Sequence, residues 1–114
     1  MKLPLKNANG TMQLLNKTCL KGVPGLYEQD GKGDDATVYL KFFVAGWTWF
    51  LTELDQETGE AFGKVYSPME PDGSLGYFSI PELATMSVTP FRVSVERDRH
   101  FKKTPLKDVK NPLA

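Results

Sequence analysis

One cysteine and one histidine leave little in this chain for metal or redox chemistry. Cys19 has no partner for an internal disulfide, which fits a reducing, cytoplasmic setting. A zinc centre is disfavoured, because one imidazole and one thiol fall short of the usual nitrogen and sulfur ligands. No stretch approaches the ~18 uninterrupted apolar residues of a membrane span, so no membrane contact is expected. The opening MKLPLKNANG has Pro4 and no apolar h-region, unlike a signal peptide. GKG at 31–33 lacks the Lys-Ser/Thr and helix that a phosphate-binding loop requires. His100 is the sole histidine, and no serine has an elbow motif around it, so no Ser-His-acid order is supported. Nothing points to a cofactor.

Net charge is also missing, but only in the sum. Residues 1–27 carry four lysines and no acid, and residues 28–82 carry eleven acids against three lysines. Residues 83–114 return to seven basic side chains against three acids. The simplest expectation is that basic ends fold back and neutralise an acidic middle. A basic patch for nucleic acid or an acidic partner is the sharper reading. A sequence isoelectric point of about 6.6 weighs against a dedicated nucleic-acid binder.

What is present suits one domain. The chain has 114 residues, 40% of them hydrophobic, enough for one core. Residues 1–10 are expected to be a flexible N-terminal segment, 11–110 one α+β domain and 111–114 a C-terminal tail. Met12, Leu15, Cys19 and Leu20 recur at helical spacing, with Asn9 or Thr11 as cap and Gly22 as stop. EQDGKGDD reads as an exposed loop. TVYLKFFVA (37–45) is β-branched and aromatic. Alternation puts Val38, Leu40, Phe42 and Val44 on one face and Tyr39, Lys41 and Phe43 on the other. Gly46 permits a reversal, and WTWFLTELD resumes as a second strand. AFGKVYS and LGYFS supply two more, joined by a Pro-Asp-Gly turn. Ser79 and Glu82 have capping-box spacing, so IPELATM is predicted to be a short helix. PFRVSVERD is predicted as a fifth strand, with Phe91, Val93 and Val95 inward and Arg92, Ser94 and Glu96 outward. Thr104 and Pro105 then open a terminal helix, TPLKDVK. The expectation is α+β: an antiparallel sheet of about five strands with two or three short helices.

LYE (26–28), VYLKFF (38–43), WTWFLTELD (47–55), FGKV (62–65), LGYFSIPEL (75–83) and VERDRHFKKTP (95–105) run in one order. That order resembles the bacterial and phage family catalogued as domain of unknown function 2958, over about residues 23–110. The resemblance implies an accessory role on a plasmid, phage or conjugative element. It supplies no catalytic residues.

Three constellations carry candidate chemistry. Tyr39, Phe43, Trp47, Trp49 and Tyr77 lie on neighbouring strands, and aromatics beyond what one helix can cover suit a protein partner. Glu53 and Asp55, beside the tryptophans, are read as strand-end acids that solvate a turn. Arg92, Arg97, Arg99, Lys102 and Lys103 form a basic C-terminal segment able to meet phosphates. Glu96, Asp98 and His100 alternate onto one side of an extended strand, a set able to hold Mn²⁺ or Mg²⁺ for phosphodiester hydrolysis. Alternating charges on a strand face more commonly pair across strands. The preferred reading is a non-enzymatic interaction or regulatory module of a mobile element, with anti-defence inhibition as one version. A nucleic-acid-binding accessory protein and a metal-dependent nuclease or hydrolase are the alternatives.

Overall fold

The computed structural model describes residues 1–112. Among the described residues the fold is mostly β, with 41% strand and 11% helical residues, and the one α-helix is short. This corrects the α+β expectation of two or three helices. In chain order the strands are β1 (Leu5–Lys6), β2 (Gln13–Leu15), β3 (Thr37–Val38), β4 (Leu40–Val44), β5 (Trp47–Leu54), β6 (Glu60–Ser67) and β7 (Glu70–Ser79). Helix α1 (Ile80–Thr85) follows, then β8 (Ser87–Val88), β9 (Val93–Ser94), β10 (Glu96–Arg97) and β11 (Thr104–Pro105). The central sheet has the order β10-β4-β5-β6-β7, and each neighbouring pair is antiparallel.

The missing helices have local causes. Residues 11–22 supply apolar side chains at helical spacing, yet Gln13–Leu15 pairs with Leu5–Lys6 as a strand. Beyond it the side-chain oxygen of Asn16 accepts from Cys19 N at 2.9 Å, and the backbone closes separate turns. Asn and Thr compete in this way with helical hydrogen bonds. At the C-terminus Thr104 donates its hydroxyl to Lys102 O and does not cap Pro105. Leu106 N donates to Ala36 O across the fold, and only a 3₁₀ turn forms at Leu106–Asp108. Helix α1 forms as its capping chemistry dictates, with Ser79 Oγ accepting from Glu82 N at 3.2 Å.

The fifth strand is broken into two pieces. Arg92 adopts φ 52° and keeps Phe91 out of the strand. On either side of Val95 the two pieces pair with different strands, β9 with β8 and β10 with β4, so the alternation slips between Ser94 and Val95. Only Val95 of the three expected inward residues is buried; Phe91 and Val93 are exposed, and Ser94 is inside.

Both sheet faces are used. One packs Leu40, Phe42, Val44, Trp49 and Leu51 against Leu14, Leu15, Ile80, Leu83 and Val95. On the other, Phe50 and Tyr66 pack with Val38, Leu106 and Val109, with Phe101 alongside. The C-terminal segment thus covers part of the second face. Val38 parts from Leu40, Phe42 and Val44 because β3 and β4 are separate strands and β3 pairs with β11. Residues 1–10, expected to be flexible, lie against the domain: Met1, Leu3 and Leu5 pack on the core, and Asn7 donates to Val95 O at 3.1 Å. Of the expected tail, residues 113–114 lie outside the described residues.

A close approach fixes one glycine. Between Leu51 and Glu53 the β5–β6 register shifts, and Thr52 turns its buried hydroxyl to Phe62 O. Beside this bulge, a Cβ on Gly63 would lie 1.8 Å from Phe50 O. No other residue fits there.

Candidate functional site

The β4–β5 hairpin ends in a two-residue turn, Ala45–Gly46, with φ 42° and 89°. Positive φ at both centres is what a tight type I′ hairpin needs, and Ala45 accepts strain to provide it. The turn forms one wall of a cleft of about 440 Å³. Phe43 and Trp47 flank the turn and line the cleft, Met12 adds an apolar contact, and Glu96 to His100 supply a polar wall. Such a volume lies in the range of small-ligand and side-chain pockets.

The two aromatics are half-exposed, each at 37%. Trp47 rests on Trp49, with ring centroids 5.8 Å apart and planes 22° from parallel. Trp49 is buried in the core, so it stiffens Trp47 from beneath and is not itself a contact residue. The five expected partner aromatics therefore do not form one surface. Tyr39 is half-buried with Lys103 Nζ 5.1 Å over its ring. Tyr77 lies on β7, at the opposite edge of the sheet from β10.

The basic segment is also divided. Arg97 directs Nε to Leu14 O at 3.0 Å and a terminal nitrogen to Gln13 O at 3.3 Å, tying β10 to β2. Lys103 is occupied by Tyr39. Arg92 sits exposed in the loop before β9, whereas Arg99 is exposed on the cleft wall and Lys102 is exposed beyond it. No single stripe of cations results.

Glu96, Asp98 and His100 all line the cleft, but their chemistry is spent differently. Asp98 faces Lys41 at 3.7 Å and accepts from His100 N at 2.9 Å. Glu96 is exposed opposite Phe43 in the β10–β4 register. Among the described residues no group of three acidic, histidine or cysteine side chains is placed to hold a metal ion. The arrangement is the cross-strand charge pairing that strand faces commonly carry.

Glu53 is not the solvated strand-end acid that its position suggests. It is buried, and its carboxylate accepts from Tyr27 N at 2.8 Å and Gln29 N at 3.0 Å. Gln29, also buried, bonds Thr37 and Thr52 through both ends of its amide. Together they pin the 24–36 loop to the sheet and hold Tyr27 at φ 71°. Tyr27 is thereby left 60% exposed, its hydroxyl 3.3 Å from that of Tyr77. This hydrogen bond pushes the Tyr77 phenol up to about 12. No sequence signal marks Tyr27, since its exposure depends on a carboxylate 26 residues away. Asp55 does end its strand; backbone N–H groups of Glu57 and Thr58 hold its carboxyl below the ordinary value. Asp35 beside Lys107 raises the ammonium pKa.

Fold and cleft together define a small, mostly antiparallel β-protein with an aromatic-walled cleft at a hairpin edge. The chain belongs to the family described as "Protein of unknown function (DUF2958)", which it matches over residues 16–108. No curated protein and no solved structure matches it. Among the described residues no helix is long and apolar enough to cross a membrane.

Proposed function

We propose that the chain is a non-enzymatic binding module that holds a protein partner at the Phe43–Trp47 cleft. The observation that supports this reading most is the pairing of two half-exposed aromatics with a cleft of about 440 Å³. Trp47 is held by Trp49 before any partner arrives, so little side-chain freedom is lost on contact. Aromatic and arginine side chains are favoured anchors of protein interfaces, and Arg99 stands on the same wall. The module would act in the cytoplasm of a bacterium carrying a plasmid, phage or conjugative element, with inhibition of a host defence protein as one form of that role. The test is co-purification with tagged chain from cells carrying such an element. A partner retained by the wild type and lost with Trp47→Ala and Phe43→Ala supports the reading. A solitary monomer under the same conditions opposes it.

A further inference from the structure

Few acids in the middle of the chain meet its basic ends directly. Of the eleven acids in residues 28–82, only Asp35 has a lysine or arginine partner within 4.0 Å among the described residues, namely Lys107. Several of the others gather around the Tyr27–Tyr77 pair. One cleft of about 530 Å³ is lined by Tyr27, Glu28, Asp55 and Glu57 among others. A second, of about 320 Å³, is lined by Glu60 and Tyr77 with Phe78. Among the described residues no lysine or arginine lines either cleft. The amino terminus of Met1 lies nearby, donating to Glu57 O.

The chain's own tyrosines show what such rings accept. Lys103 Nζ lies 5.1 Å from the ring centre of Tyr39, and Lys64 Nζ lies 5.4 Å from that of Tyr66. These are cation–π distances. Among the described residues Tyr27 and Tyr77 carry no such cation, although they are the two most exposed tyrosines and have carboxylates beside them. Phe62 backs Tyr77 edge-on at 5.0 Å, and Glu53 fixes the backbone of Tyr27, so the pair is preformed. A tyrosine phenol is neutral at ordinary pH, which leaves the carboxylates as the source of negative charge.

We infer that this surface docks a lysine- or arginine-bearing segment of a partner protein, seating a cationic side chain on the Tyr27–Tyr77 pair between the flanking carboxylates. The site is separate from the Phe43–Trp47 cleft and does not depend on it. Tyr77 lies on β7, which is an edge of the sheet, so an extended segment has access to it.

A hexalysine peptide serves as probe, titrated into the full chain and followed by backbone amide resonances. Saturable binding, weakened by salt, is expected, with shifts concentrated at Tyr27, Phe62 and Tyr77. Tyr77→Ala should weaken it roughly fivefold to tenfold, while Tyr77→Phe retains it, because the ring carries the contact. Leu75→Ala, an exposed neighbour on the same strand, should leave affinity unchanged. If Tyr77→Ala fails to fold, Glu60→Gln with Glu57→Gln gives the second measure, again a loss of affinity. Shifts spread evenly over Asp34, Glu70 and Asp72, with Tyr77→Ala binding like wild type, would overturn the proposal. Self-association of the chain through these residues, blocking the peptide, would equally overturn it and assign the surface to a second copy. Trp47→Ala should bind hexalysine normally, which separates this test from that of the cleft.

Discussion

At the scale of single residues, polar side chains buried in the sheet position what lies on the surface. Glu53 satisfies two backbone donors that would otherwise be orphaned, and hydrogen bonds to a charged group contribute more than neutral ones. Glu53→Ala is therefore expected to lower unfolding free energy by about 2–4 kcal/mol in urea titration, and to raise amide exchange at Tyr27 and Gln29. Asp55 gives a pH dependence of known sign. Its folded pKa lies below the ordinary 3.8, so its contribution is present above that value and is lost as pH falls through the folded one. The difference in urea midpoint between wild type and Asp55→Ala should be larger at neutral pH than at the acid end of that window. A constant difference across the range would contradict the assignment.

At the scale of elements, the long central strands and helix α1 were legible, whereas the short strands and the absence of helix at 11–22 and after Thr104 were not, for physical reasons. TVYLKFFVA and WTWFLTELD alternate, carry β-branched and aromatic residues and flank a reversal, so composition, period and turn agree. Residues 11–22 carry helical spacing, but Asn16 and Thr18 favour local turns, and the short strand β1 offers Gln13–Leu15 a partner. Such pairing between distant short segments has no sequence period. The same holds for the C-terminal segment, whose worth lies in what it covers. Leu106 is buried against Val38, Phe50 and Tyr66, with Val109 beside it. Leu106→Ala should cost about 2–5 kcal/mol in thermal or urea unfolding, as for other buried leucines. An unchanged midpoint would show that the second face does not need this cover. Candidate aromatics divided by position along the strand. Trp47 and Trp49 share one face, but Trp47 sits at the hairpin end and stays half-exposed, whereas Trp49, further in, is covered by the core.

At the scale of the molecule, charge and aromatic surface divide into two regions. The hairpin cleft combines Phe43 and Trp47 with Arg99, and the opposite edge combines Tyr27 and Tyr77 with unpaired acids. Direct ion pairing of the acidic middle with the basic ends is confined, among the described residues, to Lys107 and Asp35, while Arg97 is directed to backbone carbonyls and Lys103 to an aromatic ring. Sequence charge counts carry no information about such commitments. The central claim is that the Phe43–Trp47 cleft holds a protein partner. It is tested most directly by the affinity of a co-purified partner, measured by titration calorimetry against wild type, Trp47→Ala and Phe43→Ala. The account predicts a loss of about 2 kcal/mol or more, roughly thirtyfold in affinity, for Trp47→Ala, as for a buried aromatic anchor, with the fold intact by circular dichroism. Undiminished affinity in both folded variants would contradict it.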